Sequence, residues 1–201
     1  MINIVFFLIE LAATFVEFWL GLRMNSYIMK RGEKQLLKTI FSTLILMGMI
    51  MLINQYQLFS IWASLIAIAG IAIASVVVYR IRIPDSLVIS TAYIAILHII
   101  DFLMISLWGT MTRNPAFGVE VVKEYSIVRC LYVLLSKCTL CGLCFLITYK
   151  ITPQINVLSR KVGGVVIAGA FLVWYFINVT FEAADASILV TWIVLLIFIL
   201  L

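Results

Sequence analysis

Long runs that are apolar on every side of a helical projection recur along this chain, and they decide what it can fold into. A bilayer-spanning helix needs roughly 17–25 mostly apolar residues. Seven candidate runs are present, at residues 2–22, 36–54, 58–79, 87–108, 126–149, 163–181 and 187–201, the last of them short. Of the 201 residues, 65% are hydrophobic and only 11% are charged. Soluble domains carry about 45–50% apolar and about 25% charged residues, and a core of this size cannot bury the excess. In lipid every backbone polar group must be satisfied internally, so the choice lies between a helix bundle and a closed barrel. Barrel strands alternate in polarity. Residues 61–78 and 187–201 do not. The expected fold is therefore all-α: a polytopic transmembrane helix bundle, one membrane domain spanning residues 1–201.

The loops alternate in charge, which predicts orientation. The first carries Arg23, Lys30, Arg31, Lys34 and Lys38 against Glu33. The third carries Arg80 and Arg82 against Asp85, and the fifth carries Lys150, Arg160 and Lys161. The second has no charge, the fourth balances Arg113 and Lys123 against Glu120 and Glu124, and the sixth has only Glu182 and Asp185. Basic loops stay in the cytoplasm. Seven spans then place the N-terminus outside and the C-terminus in the cytoplasm; the alternative is six spans with one hairpin only dipping in. The net charge of +5 is thus a topology signal, and nucleic acid is not an expected partner. The first span lacks a cleavage site and is not read as a signal peptide. The last run ends inside hydrocarbon, at Ile197-Phe198-Ile199-Leu200-Leu201. That ending leads us to expect a cytoplasmic continuation after residue 201.

Charges inside apolar spans are costly and mark pathways, partners or sites. The first span has Glu10 and Glu17, the fourth His98 and Asp101, and the fifth Arg129 and Lys137. At about 1.5 Å of rise per residue, Glu10, His98, Asp101 and Lys137 fall within roughly 5 Å of the midplane. Arg129 falls nearer the outer surface and Glu17 nearer the inner one. Spans one, four and five are expected to touch, with these charges paired in the interior. The candidates for ligand binding or signal coupling are Glu10, His98, Asp101, Arg129 and Lys137. The bland alternative is that the pairs only fix helix order. The fourth loop, residues 109–125, is the long outer one and could form a lid over Asp101 and Arg129.

Other motifs read as packing. Cys138, Cys141 and Cys144 have a C-x-x-C-x-x-C spacing, but on one membrane helix such cysteines are small packing residues. They and Cys130 are expected to be free thiols, and neither metal nor cofactor is expected. Ala63, Ala67, Gly70 and Ala74 on the third span, and Gly164 and Ala168 on the sixth, are expected to let helices approach closely. The sequon at Asn178 lies too near a span to be used. No phosphate loop, nucleotide fingerprint or nucleophile–base set is present, so this chain is not expected to be an enzyme.

The whole pattern resembles the N-terminal sensor domains of bacterial accessory-gene-regulator-type receptor histidine kinases, of the GHKL class. It is carried by the acidic first span (Ile9-Glu10-Leu11) and the basic loop Lys30-Arg31-Gly32-Glu33-Lys34. Ile/Leu/Phe-rich spans with short turns follow, and the closing span reads Leu189-Val190-Thr191-Trp192-Ile193-Val194-Leu195-Leu196. The resemblance covers all 201 residues but has no short diagnostic motif. It implies a multi-pass protein of the bacterial plasma membrane, a homodimer, and an extracellular peptide or small hydrophobic ligand. It also implies a signalling helix and kinase domain after residue 201. The alternatives are a membrane subunit of a vitamin-type transporter, which would need small-residue docking motifs where span one offers only Ala12 and Ala13, and an accessory membrane protein without a ligand.

Overall fold

The computed structural model describes residues 2–30, 35–54, 61–113, 126–150 and 163–173. Among them all regular structure is helical and no strand is present. The helices are α1 (Ile2–Ile28), α2 (Leu36–Asn54), α3 (Ile61–Tyr79), α4 (Ile83–Thr112), α5 (Ile127–Lys150) and α6 (Gly163–Val173). Four of them are long and apolar enough to cross a membrane: α1, α3, α4 and α5. The apolar stretch of α2, Leu36–Leu52, is shorter. The remainder of the sixth expected span, all of the seventh, and the lid segment 114–125 lie outside the described residues. So do residues 31–34, 55–60 and 151–162, where five of the loop charges fall: Arg31, Glu33, Lys34, Arg160 and Lys161.

Two helices run past the limits that hydropathy alone suggests. The first does not end at Leu22. Arg23 lies over the Trp19 ring, 5.7 Å from its centroid, and Asn25 is satisfied by partners described below, so the helix continues to Ile28. The fourth starts at Ile83 rather than Leu87. Pro84 sits in its first turn, where a missing N–H costs nothing and a fixed φ favours helix. Three helix ends are closed by basic residues in the left-handed region: Lys30 (φ 52), Arg80 (φ 55) and Arg113 (φ 52). Their N–H groups return to the carbonyls of Tyr27, Val76 and Thr110, while their positive charge suits the helix C-terminus. Hydroxyls within the helices bond back one turn, as Thr14 does to Glu10, Thr43 to Thr39 and Thr91 to Leu87. That arrangement lets them sit in apolar surroundings without an external partner.

Cross-helix bonds give the directions. Glu10 meets Arg129, Glu17 meets Lys137 and Tyr27 meets Thr148, so α1 and α5 run parallel. Asn25 meets Ser90, and Tyr93 meets Glu17, so α4 runs against α1. Ser64 meets His98, and Thr39 meets Tyr79, so α3 runs against both α4 and α2. Direction therefore alternates from α1 to α5. Lys30, Lys38, Arg80, Arg82 and Lys150 consequently share one end of the bundle, called here the basic end.

The N-terminal helix is the hub, touching α2, α3, α4 and α5. Leu22 of α1, Ile71 of α3 and Leu140 of α5 are fully buried together with Tyr93, Ile94 and Leu97 of α4. Gly70 lies under Leu46 of α2, and Ala63 and Ala67 are buried, as expected of the small face on α3. On α6 the close contact is at Gly163, whose missing Cβ would come 3.0 Å from Val88. Gly164 and Ala168, expected in that role, are exposed; the packing face is turned by one residue. Outward faces are apolar, with Phe41, Ile73, Val77 and Phe145 exposed.

Candidate functional site

The intramembrane charges sit on three long helices, α1, α4 and α5. Glu10 and Glu17 are seven residues apart on α1 and share a face, about 10 Å from one another along the axis. Arg129 and Lys137 have nearly the same spacing on α5. Because α1 and α5 are parallel, the two pairs meet as successive rungs. The Arg129 Nε lies 2.6 Å from Glu10 Oε1, and the Lys137 ammonium contacts Glu17 Oε1. Helix α4 enters the second rung from the other side. Lys137 Nζ donates to both oxygens of Asp101, at 3.0 and 3.3 Å, and the Ser136 hydroxyl donates to Asp101 Oδ1. Tyr132 adds a long 3.4 Å bond from its hydroxyl to the Asp101 carbonyl. The side chains of Lys137 and Asp101 are only 13% and 12% exposed, so these ion pairs are shielded from solvent.

Of the five residues singled out from the sequence, four are thus brought together on α1, α4 and α5. The partners differ in detail: Arg129 pairs with Glu10 rather than Asp101, and Lys137 joins Glu17 to Asp101. His98 stands apart. Three residues along a helix still leave about 60° between side-chain directions, and that turns His98 to α3, where Nε2 lies 2.8 Å from Ser64 Oγ. Among the described residues no three His, Cys, Asp or Glu side chains group as metal ligands. The four cysteines are free thiols; Cys138 and Cys141 are exposed and Cys144 is buried.

A second, uncharged polar cluster lies toward the basic end. Asn25 of α1 donates from Nδ2 to its own-helix carbonyl of Gly21 (3.1 Å) and to Ser90 Oγ (3.2 Å). Ser86 Oγ reaches both Asn25 Oδ1 (3.2 Å) and the Ala72 carbonyl of α3 (3.1 Å). Asn25, Ser86 and Ser90 are completely buried. Ser75 Oγ, also buried, has no hydrogen-bond partner. Between the two clusters, Tyr93 of α4 lies against α1 and donates its hydroxyl to the Glu17 carbonyl at 2.6 Å. Gly21 makes that approach possible, since a Cβ there would sit 2.9–3.1 Å from the tyrosine ring.

Tyr93 also walls an apolar cavity of about 230 Å³ between α1, α4, α5 and α6. Met24, Ala92, Ile96, Cys144 and Val166 line it with neighbouring aliphatic side chains, and no polar surface reaches it. The cavity lies in the basic-end half, away from the charged rungs. Glu17, Ser136, Tyr93, Gly21 and the Asn25 cluster were not among the residues selected from the sequence. For Glu17 the signal was present, as an acid in register with Glu10; for the others, nothing in hydropathy marks them. No protein-family model, curated protein or solved structure matches the chain.

Proposed function

We propose that this chain is the multi-span sensor bundle of a bacterial plasma-membrane receptor, which binds the apolar part of an amphipathic signal and relays it to a cytoplasmic partner. Orientation follows from the basic end: Lys30, Lys38, Arg80, Arg82 and Lys150 share it, and such residues are retained in the cytoplasm. The N-terminus then faces outward, and the seven-span reading carries the C-terminus inward. Cysteine labelling at Arg82 and Arg113, in a background without the native cysteines, tests this. The two sites should label from opposite sides of the membrane, and labelling from the same side overturns the orientation.

The observation that carries the functional reading is the apolar cavity walled by Tyr93. At about 230 Å³ it is smaller than the roughly 300–1,000 Å³ of sites for drug-sized ligands, so it suits an aliphatic tail or one large side chain of a short peptide. Such a group reaches it through lipid. Filling it displaces Tyr93, whose hydroxyl holds the Glu17 carbonyl, and α1 touches each of the other long helices. The charged residues are paired with one another, so in this reading they hold the frame against which α1 moves rather than meeting the signal directly. Coupling to a histidine kinase, and action as a homodimer, are what the resemblance implies and remain part of the proposal.

The test joins residues 1–201 to a cytoplasmic histidine-kinase domain in liposomes and follows phosphorylation against secreted peptide fractions. Ala92→Phe should fill the cavity. Overpacking costs about 1–3 kcal/mol, so the half-maximal signal concentration should rise on the order of tenfold or more. Unchanged sensitivity in a folded Ala92→Phe protein removes the cavity from the reading. A fusion that answers no peptide, with purified protein that retains a vitamin-like molecule, replaces the sensor with a transporter subunit.

A further inference from the structure

We infer that the Glu17–Lys137–Asp101 cluster is a proton-binding site, with one exchangeable proton held on Glu17. The argument is one of charge and hydrogen bonding. Two carboxyl groups from α1 and α4 converge on one ammonium group from α5. With both acids ionised the cluster carries one uncompensated negative charge between three helices. A net charge in that setting is costly, and two carboxylates that share a site resist joint ionisation. Uptake of one proton from water makes the cluster neutral.

The bonding pattern says which acid takes it. Asp101 accepts from the Lys137 ammonium, which lies within reach of both its oxygens, and from the Ser136 hydroxyl. Hydrogen bonds to a carboxylate favour the charged form over the neutral one. Glu17 has the Lys137 contact, and the nearby Tyr93 hydroxyl is spent on the Glu17 backbone carbonyl. A neutral Glu17 still accepts from Lys137 through its carbonyl oxygen.

The surrounding groups do not supply the missing positive charge. On α1, Glu10 is held by Arg129, and Arg23, nearly two turns beyond Glu17, lies over the Trp19 ring. On α4, His98 bonds to Ser64 of α3, and Tyr93 is neutral. On α5, Arg129 serves Glu10, while Tyr132 and Cys144 are neutral. Helix α3 has no charged residue, the described part of α6 has none, and α2 has only Lys38 at the basic end. A shift of α5 that moves Lys137 from Asp101 toward Glu17 transfers the preference for the proton from Glu17 to Asp101. The site therefore ties helix position to which acid holds the proton, independently of whether the apolar cavity binds a signal.

Infrared spectroscopy of the full chain in lipid nanodiscs at neutral pH tests this directly. The wild type should show a carbonyl stretch from one protonated, buried carboxylic acid, and it should move to lower frequency when glutamate is ¹³C-labelled. Glu17→Gln should abolish the band. Asp101→Asn should abolish it too, because one acid then matches one base, and Lys137→Met should double it. A folded wild type with no such band overturns the inference. A band that moves with labelled aspartate instead of labelled glutamate overturns the assignment to Glu17, and it needs no variant to be seen.

Discussion

The two polar regions along α1 hold helices together by different means, the first joining α1, α4 and α5 and the second α1, α3 and α4. Toward the N-terminal end, Glu10, Glu17, Asp101, Arg129 and Lys137 make a short ladder of ion pairs. Toward the basic end, Asn25, Ser86 and Ser90 do the same work with amide and hydroxyl groups and no charge. A charge pair tolerates little, since removal of one partner leaves a charge with nothing to balance it. A hydroxyl whose partner is lost can turn back to its own helix. The ladder therefore specifies which helices meet and in what register, while the neutral cluster lets α1, α3 and α4 pack closely at small cost.

The sharpest way to break this comparison is Lys137→Met. It strands two acids and should lower stability by about 3–5 kcal/mol at neutral pH, as measured by denaturation in mixed micelles. Adding Glu17→Gln and Asp101→Asn to that variant should recover most of the loss. Acidification should also help the single variant, because protonated carboxyls need no partner; stability that stays flat with falling pH would count against the ladder. Gly21→Ala comes next. The added methyl meets the Tyr93 ring, and overpacking of this kind costs about 1–3 kcal/mol. In a Tyr93→Ala background most of that penalty should vanish, and a double-mutant cycle measures the coupling.

Asn25→Leu should cost less, roughly 0.6–2 kcal/mol, the range of polar contacts between membrane helices. Combined with Glu17→Gln it should be additive within about 0.3–0.5 kcal/mol, since the two positions are eight residues apart and share no partner. Strong non-additivity would mean that the two regions form one network. The smallest effect is expected outside both. Arg80→Gly relieves a left-handed backbone at the end of α3, and a gain on the order of 1 kcal/mol should follow. A loss instead would show that the arginine charge, rather than its conformation, secures that helix end.

The difference between the regions also explains what could be read in advance. A charge in an apolar run stands out, so the meeting of α1, α4 and α5 was legible, and with it four of the five selected residues. Their exact partners were not, because depth estimates from span midpoints shift when a span is longer than its apolar core. The first helix runs to Ile28 and the fourth from Ile83, which slides Glu17 to the level of Lys137. His98 was assigned to the charged face on spacing alone, and a 60° divergence was enough to send it to Ser64. The neutral cluster was not legible because Asn25 and Ser86 fall just outside the apolar runs 2–22 and 87–108, and serine and glycine are ordinary residues in such helices. Gly21 acquires meaning only through Tyr93, 72 positions further on. The same limit applies to the cavity: empty space is a property of four helices together.

The central position of α1 has a consequence for how the chain is made. Glu17 is synthesised 120 residues before Lys137. At a translation rate of about 5–20 residues per second, it waits on the order of 6–24 s for its partner. During that interval the first helix carries two acids that no part of the chain yet neutralises. It must linger beside the insertion machinery, at the edge of the bilayer, until α4 and α5 arrive. A ribosomal pause before α5 should therefore expose this protein to membrane proteolysis more than a pause after it.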